Sequence, residues 1–204
     1  RQMCIRDRAN AMERAGHEVQ MLSDPAELAS FEALIIAVGD ARLEATVELL
    51  EPHVHHGLIV FHTCLSRGVQ VLDPLETRGC VVAALAPFAL MRWAVTTLDE
   101  LGETVVELNI TEFRGEAVAL SDAERPSFAA RAYYAEMLRR LHISAAVDAR
   151  FFPSAEEKPM VGEDMDTEEI IAAYRGATDP GLRRSYVEVA RRLGEVDAVS
   201  YTHL

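Results

Sequence analysis

The sequence predicts an α/β chain: a mostly parallel sheet with helices over both faces, followed by a smaller all-helical region. Three observations lead there. Between residues 9 and 120, helix-period and strand-like segments alternate with little filler, as in consecutive βαβ units. Residues 33–38 (Ala-Leu-Ile-Ile-Ala-Val) are apolar without a break, as expected of a strand buried on both faces of a parallel sheet. From Ser121 onward no convincing strand remains and three helical segments follow, so the boundary is placed near Leu120.

In chain order, residues 9–15 are helix-forming and stop at Gly16, a residue suited to a left-handed C-terminal cap. Residues 18–22 read as a strand, after which Ser23-Asp24-Pro25 provides a cap and a helix-starting proline for a short helix through Ala29. The apolar strand 33–38 ends at Gly39-Asp40, and Asp40 can cap a helix over residues 41–51. Leu43, Val47 and Leu50 share one face of that helix, and Pro52 ends it. A strand over 57–61 runs into His62-Thr63-Cys64, and a turn-rich helical link leads to a strand over 80–85 that breaks at Ala86-Pro87. A strand over 93–97, a helix over 99–113 capped by Asp99 and a strand over 117–120 complete the sheet. Helices over 124–147, 166–175 and 179–193 follow, with a loop at 152–164.

The two ends read differently from the rest. Residues 1–8 and 199–204 resemble translated sequencing-adapter sequence and are set aside as non-native segments. The expected layout is thus an α/β domain over 9–120 and a helical domain over 121–198.

Composition narrows the function. The 204 residues are 50% hydrophobic, contain no apolar run long enough to span a bilayer, and have a formal net charge of −13. Residues 9–120 hold 17 acids against 6 bases, which disfavours nucleic acid as a partner. Nineteen of the 20 bases are arginine, so Lys158 is the single candidate for any lysine chemistry. The three cysteines lack metal-type spacing and are too few for a disulfide framework, which suits a reducing cytoplasm. His53, His55 and His56 are not spaced to gather about one ion, and the acids between 163 and 169 lack a calcium-loop pattern, so no metal site is expected.

The strings Arg14-Ala15-Gly16-His17-Glu18-Val19, Ile35-Ile36-Ala37-Val38-Gly39-Asp40, Val60-Phe61-His62-Thr63 and Asp122-Ala123-Glu124-Arg125-Pro126 resemble segments of a family of Rossmann-type NAD(P)-dependent oxidoreductases of uncharacterised activity. These are relatives of pyrroline-5-carboxylate reductase and 6-phosphogluconate dehydrogenase. The resemblance covers most of residues 9–193. It implies a dinucleotide-binding domain followed by a helical domain through which homodimers form, and hydride transfer on a small polar substrate. The family's glycine-rich turn would fall before Ala9, across residues that contain no glycine. The expectation is therefore an N-terminally truncated copy with impaired cofactor binding.

In an open parallel sheet, ligands sit beyond the carboxyl ends of the strands, so the cofactor-binding candidates are the residues found there. Ser23 and Asp24 would meet ribose hydroxyls, or merely cap a helix; with no arginine beside them, NAD is favoured over NADP. Ala37, Val38, Gly39 and Asp40 resemble the family's adenosine- and ribose-lining segment. His62, Thr63 and Cys64 resemble a His-Thr-Ser run that approaches the nicotinamide, although a histidine ending a strand more often serves structure. Ala86 and Ala129 stand where the family often has histidines. Tyr133, Tyr134, Arg125 and Arg131 are candidates for an interdomain cleft, with arginine suited to a carboxylate substrate, against ordinary core and surface roles. No catalytic residue is assigned, and a non-catalytic nucleotide-binding or regulatory module is the competing reading.

Overall fold

The structure, a computed structural model, describes residues 12–13, 16–89, 92–112, 115–140 and 167–202. Five strands form one sheet: β1 (Ala33–Ile36), β2 (Ile59–His62), β3 (Val81–Ala89), β4 (Arg92–Thr97) and β5 (Glu116–Ala119). Spatial order follows chain order. β1, β2 and β3 run parallel, with Ile35 opposite Phe61 and Phe61 opposite Ala83. β4 is antiparallel to β3, and β5 is parallel to β4.

The helices are α1 (Asp40–Leu50), α2 (Asp73–Glu76), α3 (Glu100–Glu112), α4 (Arg125–Arg140), α5 (Thr167–Gly176) and α6 (Pro180–Thr202). Leu43, Val47 and Leu50 of α1 are buried with Val60, Val82 and Ala84 on one face of the sheet. Val106 and Ile110 of α3 cover the other face over Phe61, Ala83, Leu85 and Val95. The period-2 alternation of β3 therefore feeds two cores at once. The expected mostly parallel sheet with a helix layer on each side is what the chain forms.

Three details depart from the sequence reading. Residues 18–22 form no strand, and Met21 is 70% exposed. A strand needs a neighbour for its backbone groups, and among the described residues β1 pairs only with β2. β3 does not break at Pro87 but continues to Ala89, with an irregularity between Pro87 and Ala89 in its pairing with β4. Bulges of this kind are where proline is tolerated in a strand. The extension leaves two positions between β3 and β4, which only an antiparallel pair can accommodate. Finally, the last helix, expected over 179–193, runs on to Thr202.

The three C-terminal helices α4, α5 and α6 share a core of Tyr134, Met137, Leu138, Ala173, Leu182, Tyr186 and Leu193. That core is continuous with Leu65, Ala86, Phe88 and Ala94 at the sheet. Tyr134 and Tyr186 stack with ring centroids 6.1 Å apart, and the Tyr186 hydroxyl donates to the Ile170 carbonyl at 2.9 Å. α5 ends at Gly176, where an added Cβ would lie 2.3 Å from the Pro126 carbonyl oxygen. The absence of a side chain lets α5 approach the start of α4 this closely.

Candidate functional site

The carboxyl ends of β1 and β2 are joined by direct contacts. β1 gives way to Ala37 and Val38, then to Gly39, the N-terminal cap residue of α1. Gly39 is buried, its φ of −70° is ordinary for any residue, and no side chain caps the helix it opens. Backbone conformation therefore does not demand glycine here. Asp40 follows in the first turn, where its negative charge suits the helix dipole, and it accepts from the Ser66 hydroxyl.

β2 ends in His62, which is wholly buried. Its Nδ1 accepts from the Cys64 amide at 3.2 Å and its Nε2 lies 2.9 Å from the Gly68 carbonyl, which fixes the Nε2–H tautomer. Burial holds its pKa down to about 4, against the opposing effect of the Gly68 carbonyl. A neutral imidazole with both nitrogens given to the backbone is a clamp on the loop. The Thr63 amide donates to the Ile36 carbonyl at 3.2 Å and the Cys64 thiol to the Val38 carbonyl at 3.2 Å, which stitches the two strand ends together. Burial, reinforced by Asp40, pushes the Cys64 thiol well above its usual range, so it is no nucleophile.

Ser23 and Asp24 are exposed and locally engaged. The Asp24 carboxylate accepts from the Ala26 amide at 2.9 Å, capping the short helix Pro25–Ser30, and Ser23 donates to Glu27. The structure thus unites the 37–40 and 62–64 groups and leaves Ser23 and Asp24 in a capping role. The glycine-rich turn of the resemblance lies outside the described residues. Among those residues no group of His, Cys, Asp and Glu could hold a metal ion.

From above, the start of α4 meets the same loop. Ser121 and Glu124 have the spacing of a capping box and make half of it, the Ser121 amide and hydroxyl both donating to the Glu124 carboxylate at 2.8 and 2.7 Å. Asp122 accepts from the amides of Val69 at 2.9 Å and Gln70 at 3.1 Å. Arg125 is wholly buried and donates to the Cys64 carbonyl at 3.1 Å, the Thr96 hydroxyl at 2.9 Å and the Ala94 carbonyl at 3.4 Å. Thr96 and Ala94 pair with Ala84 and Ala86, so the guanidinium crosses β3 where its side chains are smallest. Its Nε has no hydrogen-bond partner. Arg125 is therefore a strut between β2 and β4. Arg131 is exposed, and Tyr134 belongs to the helical core.

Tyr133 donates to Glu169 at 3.0 Å, and burial with Glu169 and Asp40 nearby raises its pKa strongly, so the phenol stays protonated. Ala86 and Ala129, where the resemblance places histidines, are wholly buried in the cluster that joins sheet and helices.

A protein-family model described as Rossmann-like domain matches residues 13–87. This part of the chain is a Rossmann-like domain. It contains β1, α1 and β2 with both strand ends described above, and most of β3. Among solved structures, the chain is similar to prephenate dehydrogenase from Aquifex aeolicus in complex with hydroxyphenyl propionate and NAD+ (12% identity, 96% of this chain and 84% of that chain covered, TM-score 0.47). It is also similar to 3-hydroxybutyryl-CoA dehydrogenase from Escherichia coli (17% identity, 76% and 38%, TM-score 0.49) and to Synechocystis arogenate dehydrogenase (11% identity, 89% and 71%, TM-score 0.46). No curated protein sequence matches the chain. No helix among the described residues is long and apolar enough to cross a membrane.

Proposed function

We propose that the Rossmann-like domain binds a nicotinamide dinucleotide beyond the ends of β1 and β2, and that the protein is an NAD(P)-dependent oxidoreductase acting on a small polar substrate in the cytoplasm. One observation carries the reading: α1 opens at a buried glycine of ordinary φ, uncapped by any side chain, at the carboxyl end of a parallel strand. Backbone can approach a ligand closely at such a point. The residues present fit the sugar and nicotinamide side of such a cofactor. Asp40 can accept from ribose hydroxyls, whereas its charge opposes a pyrophosphate in the same place. When bound, the cofactor would supply the hydride. The chain's own part is to orient the sugar through Gly39, Asp40 and Thr63, while Ser23 and Asp24 face the second ribose. NAD is favoured, since no arginine adjoins Ser23 and Asp24. The three C-terminal helices would form the dimer interface.

A second reading, a nucleotide-binding module without turnover, draws on Ala86 and Ala129. Both lie inside packed core rather than facing a cleft. Fluorescence titration with NADH and NADPH, on the longest form of the protein its gene encodes, tests both readings. Saturable enhancement with NADH is expected; no binding of either dinucleotide would remove the oxidoreductase reading. Binding without turnover across imines, hydroxy acids and ketones would establish the module.

A further inference from the structure

We infer that Asp122 and Arg125, at the start of α4, are positioning residues that set the backbone of residues 63–70, the loop after β2 and the opening of the 3-10 helix Val69–Leu72, and through it the dinucleotide affinity of the Rossmann-like domain. The second half of this rests on the function proposed above. The loop is gripped at three points. His62 holds it from within through the Cys64 amide and the Gly68 carbonyl. Asp122 holds the Val69 and Gln70 amides with its two carboxylate oxygens, and packs so closely on Gly68 that an added Cβ there would lie 2.0 Å from its Cγ. Arg125 holds the Cys64 carbonyl and anchors it to Thr96 and Ala94 of β4.

Stability alone is a poor account of Arg125. Its buried guanidinium contacts neutral acceptors, has no ion-pair partner among the described residues, and leaves Nε unbonded. Burying a charge this way is costly, and apolar side chains often serve a core as well or better. What an apolar side chain cannot do is span from β2 to β4 and hold a loop carbonyl in one orientation. The same loop supplies Thr63 and Cys64, so its backbone direction decides what a bound dinucleotide meets. The helical part of the chain thereby reaches the cofactor side without touching it.

Hydrogen exchange on the full chain, comparing wild type with Asp122→Asn, Arg125→Lys and Ser121→Ala, tests the inference. Lysine keeps the charge but lacks the guanidinium's planar fork. Asp122→Asn and Arg125→Lys are expected to speed exchange of loop amides, Val69 and Gln70 above all, by about tenfold or more, with Val60 and Val82 unchanged. Ser121→Ala, which loosens the cap of α4 alone, should leave the loop amides at their wild-type rates. NADH affinity should fall about tenfold in the first two variants. Unchanged loop protection in both would overturn the inference, as would acceleration spread evenly over sheet and loop, which marks a merely structural loss. A loosened loop with wild-type NADH affinity would overturn its second half. If the wild-type chain binds neither dinucleotide, the proposed function falls, and the exchange rates still decide whether Asp122 and Arg125 set the loop.

Discussion

Helices α1 and α4 both open at the edge of the candidate site, and they open in opposite ways. α1 starts at Gly39 with no side-chain capping hydrogen bond. α4 starts behind Ser121, whose amide and hydroxyl both donate to Glu124, and its neighbouring Asp122 and Arg125 reach down to the segment after β2. The closed start builds architecture. The open start has no side-chain cap among the described residues, and it is the start at which the proposed dinucleotide would sit.

The contrast can be broken most severely through the loop that α4 holds. His62 is neutral when folded, with a pKa of about 4 against 6.5 for an unperturbed histidine. Between those values the unfolded chain binds a proton that the folded chain does not. Its contribution is therefore complete above about pH 6.5 and is lost as pH falls toward 4, by about 3 kcal/mol. Urea unfolding across this range should show His62→Gln with a shallower acid slope than wild type; equal slopes would contradict the buried clamp.

A smaller effect sharpens the contrast from the α1 side. Gly39→Ser supplies the missing cap, so stability should hold or rise by a few tenths of a kcal/mol. Dinucleotide affinity should nevertheless drop about tenfold, because a side chain now stands where backbone must approach. Affinity equal to wild type would mean the open start serves no ligand. The mirror experiment removes the cap of α4. Ser121→Ala should cost about 1 kcal/mol in chemical denaturation, and an unaltered midpoint would show that the box is ornamental.

Much of this contrast was legible before any coordinates. The apolar runs that became β1, β2 and the first part of β3 read directly, as did Gly39 at a strand end, but the expected burial of 33–38 on both faces does not hold: β1 ends at Ile36, lies at the edge of the sheet, and buries only Ile36. Ser121-Asp122-Ala123-Glu124 carries capping-box spacing that the expected helix start at 124 passes over, and Asp122 enters only through the resemblance, because its partners lie more than fifty positions away. Arg125 was weighed as a substrate arginine, and nothing local marks it as a strut. Its burial depends on Ala84, Ala86 and Ala94 coming together across β3 and β4, a product of register. Residues 18–22 show the converse failure: their alternation is a local signal, whereas a strand also needs a partner for its backbone groups, and no described strand pairs with them.

The strand sequence itself has a kinetic meaning. Since every neighbour in the sheet is also the next strand along the chain, assembly requires no segment to wait for a remote one, and each pairing closes a comparatively short span of polypeptide. The briefest span, the two positions between β3 and β4, makes that hairpin the pairing with the least chain entropy to lose. The three parallel pairings instead each close a crossover of about twenty residues, so they give up more chain entropy before their contacts form.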